Sequence, residues 1–302
     1  MRLPNFLIIG TAKAGTTAIY EYIKQHPQVF MSPTKEPHFF TFEGENLDFG
    51  GPRDQEILAP TVVTDFGHYK SLFAQAQNEI ALGEVSTSYL YSPEAPERIK
   101  KYLPYVKLII VLRNPIDRAY SSFLHMVREG REPCTNFRQA LDQEQWRIQN
   151  NWEPLWHYKE MGLYYHQLCR YLESFDNSKI KICFFSDFKS NSVKFIRDLC
   201  KFLEISEDFT PDVSLKHNVS GLPKNQVLHS FLQNPSAIKS LSRLFLPQAI
   251  RQSVRVAVLN KNLSKSPDMS ITTRSYLAEY YQDDVSSLQE LTKTDLSNWL
   301  KT

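Results

Sequence analysis

Five short runs dominated by Val, Ile, Leu and Phe recur along the first two thirds of the chain, most of them followed by a stretch of helical periodicity, and this alternation constrains the fold more than any other feature. The runs are Phe6–Ile9, Gln28–Met31, Ile80–Val85, Lys107–Leu112 and Lys179–Phe185. Such apolar runs are what strands buried on both faces look like. Helical patterns cover Thr16–His26, Pro93–Leu103, Pro115–Arg128, Tyr158–Phe175 and Val193–Leu203, with Pro27 as a stop signal beyond the first. The expected fold class is α/β: a P-loop-like three-layer α/β/α architecture around a central, mostly parallel sheet of about five strands. Ligands of such sheets bind beyond the carboxyl ends of the strands, so the residues that follow each run are the ones to read for chemistry.

A chain of 302 residues is near the upper limit for one hydrophobic core, which predicts a single domain over 1–302. A basic helical insertion at about 222–267 interrupts it: residues 213–267 hold eight Lys or Arg and no Asp or Glu. Within that span Leu228–Leu246 and Ile250–Leu259 read as basic amphipathic helices, either covering one edge of the core or offering an anionic acceptor or lipid headgroups a peripheral contact. The net charge of the chain is only +2, which argues against general nucleic-acid binding, so any anion site must be local. The four cysteines lack C-x-x-C spacing and the eight histidines lack H-E-x-x-H spacing, so buried thiols and no metal site are expected. With neither a leader pattern nor a long apolar span in view, a cytoplasmic, bacterial enzyme is expected.

The first run is followed by Gly10-Thr11-Ala12-Lys13-Ala14-Gly15-Thr16-Thr17 and then a helical pattern. The two glycines have the spacing of a loop whose backbone N–H groups surround a phosphate at a helix N-terminus. An NTP-binding loop places Lys and Ser/Thr directly after the second glycine, with the hydroxyl on magnesium. Here the lysine lies inside the loop and two threonines follow Gly15, which suits an anionic group handled without a metal. An ordinary strand-to-helix turn with an exposed lysine is the plainer alternative. The fourth run leads into Arg113-Asn114-Pro115-Ile116-Asp117-Arg118-Ala119-Tyr120-Ser121. Arg113 at a strand end can fork onto a phosphate, Pro115 suits a first helical turn, and Ser121 lies about two turns further on, facing the same cleft. Arg113 alone could equally cap a neighbouring strand; Arg118 reads as a structural arginine.

Together these segments resemble the sulfotransferase family, in the branch that contains heparan sulfate sulfotransferases and bacterial homologues. Lys13-Ala14-Gly15-Thr16-Thr17 is similar to that family's 5′-phosphosulfate loop, and Arg113 through Ser121 to its 3′-phosphate element. Lys35-Glu36-Pro37-His38-Phe39-Phe40 and Gly83-Glu84-Val85-Ser86-Thr87-Ser88-Tyr89 add two further matches, and the Tyr280–Trp299 tail another. The loop Lys216–Lys224, with Gly221 and Lys224, is assigned by the same resemblance to the 3′-phosphate side. The resemblance implies a donor, 3′-phosphoadenosine 5′-phosphosulfate, and transfer of its sulfuryl group to a hydroxyl or amine of a glycan, lipid or small molecule, with no metal required. It implies Lys13 as the cation for the leaving phosphate oxygen and Glu36 as the base that takes the acceptor's proton. A surface pair with Lys35 is the alternative for Glu36, while Glu84 and then His125 stand in reserve as bases. His38, Glu84 and His125 are the candidate acceptor contacts, although His38 between Pro37 and Phe39 suits a packed role better. Tyr164 and Tyr165 are better placed in a helix-face core than on adenine. A P-loop nucleoside or sugar kinase, or a non-catalytic nucleotide-binding protein on the same fold, are the competing readings.

Overall fold

The computed structural model describes residues 2–214, 222–223, 263–264 and 267–302. Its centre is a five-stranded sheet built from β1 (Phe6–Gly10), β2 (Val29–Met31), β3 (Ala81–Val85), β4 (Lys107–Leu112) and β5 (Ile180–Phe184). Their order is β2-β3-β1-β4-β5 and every pairing is parallel. Alternate residues of each strand face opposite sides. Leu7, Ile9, Leu108 and Ile110 belong to one core cluster, while Phe6, Ile8, Ile109 and Val111 belong to the other. The first cluster is covered by the helices Ala95–Tyr102, Pro115–Arg128 and Tyr164–Ser174 and by the C-terminal pair Ile271–Tyr280 and Gln282–Thr292. The second is covered by Thr16–Ile23 and Ser192–Leu203. This is the expected three-layer α/β/α arrangement. Burial of each such aliphatic side chain contributes about 1.5–3 kcal/mol.

The chain leaves β1 in one direction along the sheet and β4 in the other, which opens a crevice between their carboxyl ends. Local chemistry sets the start of the helix after β4: the Asn114 side chain accepts from the N–H groups of Ile116 at 2.9 Å and Asp117 at 3.3 Å, and Pro115 occupies the first turn. That helix covers Pro115–Arg128 as its pattern predicts.

The pattern over Tyr158–Phe175 behaves differently. Its helix begins only at Tyr164, after a 3-10 turn at Glu160–Gly162. The earlier backbone is committed elsewhere: the buried Arg118 donates to Tyr158 O, Tyr281 Oη donates to Lys159 O at 2.9 Å, and the Glu144 carboxylate accepts from Glu160 N at 2.8 Å. Arg118 is thereby the structural arginine its position suggested. Tyr281 also breaks the C-terminal helical tail into two pieces. The cysteines are all free, with Cys183 and Cys200 buried and Cys134 and Cys169 only half-buried. None of the helices among the described residues is long and apolar enough to cross a membrane.

A two-residue antiparallel pair, β6 (Leu222–Pro223) with β7 (Leu263–Ser264), is the described part of the basic insertion. The helices expected at Leu228–Leu246 and Ile250–Leu259 lie outside the described residues, as do Gly221 and Lys224.

Candidate active site

The first wall of the site is the loop between β1 and the Thr16–Ile23 helix. Lys13 and Gly15 both have left-handed backbone angles, with φ of 69° and 79°. At Gly15 a Cβ would lie 2.7 Å from the Phe185 ring, so only glycine fits without displacing that ring. No side chain caps the helix that follows, which leaves its first N–H groups for an anion.

The loop is tied to the neighbouring strand. Thr11 N donates to Val111 O at 2.9 Å, and Arg113 Nη1 donates to Lys13 O at 2.6 Å. The Arg113 guanidinium lies 5.0 Å from the centre of the same Phe185 ring, and its own carbonyl accepts from Tyr164 Oη at 2.9 Å. Tyr164 is fully buried and belongs to the core rather than to the site.

A second wall follows β2. The backbone turns sharply at Glu36 and His38, with φ of 58° and 53°, and Glu36 N donates to Val85 O at 2.9 Å, which holds the segment beside the end of β3. Thr87 Oγ1 donates to Glu36 Oε2 at 3.1 Å, and the Lys35 ammonium donates to Oε1. Burial pushes the Glu36 carboxyl up, but the charges of Lys35 and His38 and the hydrogen bonds from Lys35 and Thr87 outweigh it and hold the group down at about 2. His38 is buried, with Nε2 3.5 Å from Glu36 Oε2 and Nδ1 2.6 Å from Ser88 Oγ. Burial lowers its pKa.

The third wall is one face of the Pro115–Arg128 helix. Asp117, Ser121, Leu124, His125 and Arg128 recur at helical spacing and all line the cleft. An Arg128 guanidinium N lies 2.7 Å from His125 Nδ1. A guanidinium can only donate, so Nδ1 accepts and the imidazole is neutral with its proton on Nε2. Burial, reinforced by Lys13, Arg128 and Arg131, keeps the pKa of His125 well below its usual value. This histidine can offer an N–H to a ligand, but its basic nitrogen is occupied.

These walls enclose a cleft of about 1300 Å³ that contains Lys13, Gly15, Thr16, Thr17, Lys35, Glu36, Arg113, Ser121 and His125 in its lining. Ala14 is fully buried behind the loop. Lys13 is only half-exposed there, and its pKa falls to about 7, chiefly through burial and then through the neighbouring charges of Arg128 and Arg113, against a smaller opposing effect of Glu36. Two residues singled out from the sequence lie elsewhere. Glu84 is fully buried in β3, where Ser86 Oγ donates to it at 2.9 Å and Tyr69 Oη at 3.4 Å; it does not line the cleft, and burial raises it to about 7. His38 supports Glu36 from behind and is not part of the lining.

The cleft also has members that sequence reasoning passed over. Arg128 is seven residues after Ser121 on the same stripe, a spacing that could have found it. Arg274 comes from the C-terminal helix, where it donates to Asp117 Oδ1 at 2.6 Å. Phe185, Phe188 and Tyr22 give one side an aromatic surface. Among the described residues no group of three or more His, Cys, Asp or Glu is placed to hold a metal ion.

A family model described as "Sulfotransferase domain" matches residues 3–235. The crystal structure of a sulfotransferase from Alicyclobacillus acidocaldarius is similar with a TM-score of 0.79 and 32% identity, covering 100% of both chains. Among curated proteins, the bifunctional heparan sulfate N-deacetylase/N-sulfotransferase 4 of Mus musculus is 25% identical over 312 residues, 99% of this chain and 31% of that protein. The corresponding protein 2 of Bos taurus is 37% identical over 141 residues, 45% of this chain and 14% of its own length. The chain thus spans about a third or less of the length of these two curated relatives. With the domain match running over most of the residues that build the cleft, and a solved sulfotransferase similar along its whole length, this chain belongs to the sulfotransferase family.

Proposed function

We propose that the chain transfers the sulfuryl group of 3′-phosphoadenosine 5′-phosphosulfate to a hydroxyl or amine of a glycan, with Lys13 and Glu36 as its catalytic residues. The observation that carries this reading is that two anion-binding elements, the Lys13–Thr17 loop and the Arg113–Ser121 helix start, meet a carboxylate in one cleft. A donor with phosphate at both ends fits such a pair. The uncapped helix start and Gly15, where a Cβ has no room, suit its 5′ side, while Arg113 and Ser121 suit its 3′-phosphate. Phe185, Phe188 and Tyr22 offer a flat base something to pack on.

The donor supplies an activated S–O bond, and the remaining work is positioning and electrostatics. Glu36 takes the proton from the acceptor as its oxygen or nitrogen bonds to sulfur. Lys13 stabilises the charge on the phosphate oxygen released when the bridging S–O bond breaks. His125, with its Nε2 proton, can donate to a sulfonate oxygen. A glycan acceptor is favoured by the company the chain keeps: the relatives matched above are named for heparan sulfate N-sulfation, and a further one, from Homo sapiens, is named heparan sulfate glucosamine 3-O-sulfotransferase 6.

The test is a calorimetric titration in EDTA with adenosine 3′,5′-bisphosphate, followed by one with ATP and magnesium. Binding of the bisphosphate without magnesium, and transfer of labelled sulfate from the donor to a glycan acceptor, are expected. Binding of ATP with magnesium in place of the bisphosphate would overturn the reading.

A further inference from the structure

Adjacent residues of an extended chain point in opposite directions, yet Lys35 and Glu36 meet side by side. The left-handed φ of 58° at Glu36 folds the two side chains together, a conformation that costs a non-glycine residue about 1–3 kcal/mol. Both face the cleft, at 26% and 28% exposure, and both help to line it. The remaining oxygen of Glu36 is already engaged by Thr87 and faced by His38, so Oε1 is the oxygen left for an incoming proton, and Lys35 is on it. A base held in this way is a poor one. The Lys35 ammonium carries three N–H donors, lies on a flexible stem and shares its cleft with Lys13, where the transferred group must be held.

On the reading that Glu36 is the base and Lys13 marks the transferring group, we propose that Lys35 changes partners during turnover, leaving Glu36 Oε1 for the sulfonate oxygens of the bound donor. Without donor the carboxylate is masked. When the sulfonate arrives it offers the ammonium an anionic partner, and Glu36 is freed for the acceptor's proton only when there is a sulfuryl group to transfer. Lys35 then also balances the charge of the sulfonate, alongside Lys13 in the same cleft. No covalent change accompanies the exchange: one ion pair is replaced by another.

The experiment compares the affinity of the donor, measured without acceptor, with that of adenosine 3′,5′-bisphosphate, which lacks the sulfonate. It is run on the full chain, on Lys35→Met and on Lys35→Arg. In Lys35→Met the donor should bind roughly 10- to 100-fold more weakly, as expected for one charge-assisted hydrogen bond, while the bisphosphate binds as in wild type. In Lys35→Arg much of the difference should return. Unchanged bisphosphate binding also certifies that the variant is folded. In Glu36→Gln the donor should bind more tightly relative to the bisphosphate, because Lys35 then gives up a neutral amide oxygen rather than a carboxylate. If the donor-to-bisphosphate affinity ratio stays the same in Lys35→Met, Lys35 remains on Glu36 throughout and the exchange is wrong. Failure of the base assignment has a different signature, near-normal turnover by Glu36→Gln, whatever the binding ratios.

Discussion

Arg113 Nη1 donates to the carbonyl oxygen of Lys13 at 2.6 Å, so the two loops that leave the central strands β1 and β4 are joined by a side chain with phosphate-binding chemistry of its own. The same guanidinium stacks near Phe185, whose ring in turn limits position 15 to glycine. The lysine loop, the aromatic floor and the arginine therefore form one packed unit, and a change at any of them reaches the others.

For Arg113→Ala this predicts two losses at once: the charge offered to a phosphate and the brace on the Lys13 backbone. Affinity for adenosine 3′,5′-bisphosphate should fall by roughly 100-fold, at the upper end of what a charge-assisted contact contributes. Calorimetry on wild type and variant measures it. An unchanged dissociation constant would place the 3′-phosphate elsewhere.

Lys13 supplies a pH signature. Its pKa near 7 in the donor-free chain means that much of it is neutral at pH 8, whereas a bound anion favours the charged form. Binding above pH 7 must therefore take up a proton, and affinity must fall as pH rises through and beyond 7, by at most about tenfold per unit. Titrations at pH 8 in buffers of different ionisation enthalpy should register the uptake, and Lys13→Ala should lose it. Equal proton uptake by wild type and variant would assign the effect to the ligand's own phosphates.

How much of this was legible without a structure depends on whether the signal was local. The strand Lys107–Leu112 and the helix Pro115–Arg128 were readable to the residue because an apolar run, an Asn cap and a proline lie next to one another. The start of the Tyr164–Ser174 helix was not, because Arg118, Tyr281 and Glu144 capture the preceding backbone from distant parts of the chain. Short helices such as Phe39–Phe42 and Asp54–Ile57 are too brief to show a period. The site divides in the same way. Lys13, Glu36 and Arg113 follow strands and Ser121 lies about two turns into the helix that Pro115 opens, so all four could be picked out, and they share one cleft. Arg274 reaches it from more than 150 residues away, pinned by Asp117, and no spacing rule announces that. Glu84 stood out through the Gly83–Tyr89 match, but it lies within β3, which is buried on both faces and takes the carboxyl with it.

Glu36→Gln should reduce turnover by roughly 100- to 10,000-fold, the usual contribution of a general base, while binding of adenosine 3′,5′-bisphosphate persists. Glutamine keeps the shape and can still accept from Thr87 and Lys35, so the loss would be one of proton affinity rather than of structure. Single-turnover assays separate this from slow product release. A variant that transfers sulfate at near the wild-type rate would return the role of base to another group.

The buried carboxyl of Glu84 bears on stability rather than on catalysis. Burial raises this group from its usual 4.5 to about 7, more than the hydrogen bonds from Ser86 and Tyr69 can offset. A folded-state pKa above the unfolded one means that the native chain holds a proton the unfolded chain releases. The contribution is fully present below about pH 4.5 and is lost as pH rises through 7. Glu144 and Glu153 are raised to about 7 in the same way, so these three carboxyls together lower stability between pH 5 and pH 8, against the opposite contribution of Lys13, His38 and His125, whose lowered pKa values leave the native chain binding fewer protons than the unfolded one. Glu84→Gln removes one of them while keeping an amide that can hydrogen-bond to Tyr69 and Ser86. Its stability should decline less over that interval, by up to about 3 kcal/mol, given that one pKa unit corresponds to about 1.4 kcal/mol. Urea unfolding of both proteins at pH 5 and pH 8 measures the difference. Parallel losses would mean that Glu84 is already ionised in the native chain, compensated by a partner that its surroundings in β3 do not reveal. A smaller loss in the variant would show that this carboxyl is kept neutral inside β3, the strand whose end holds the segment of the charged Glu36.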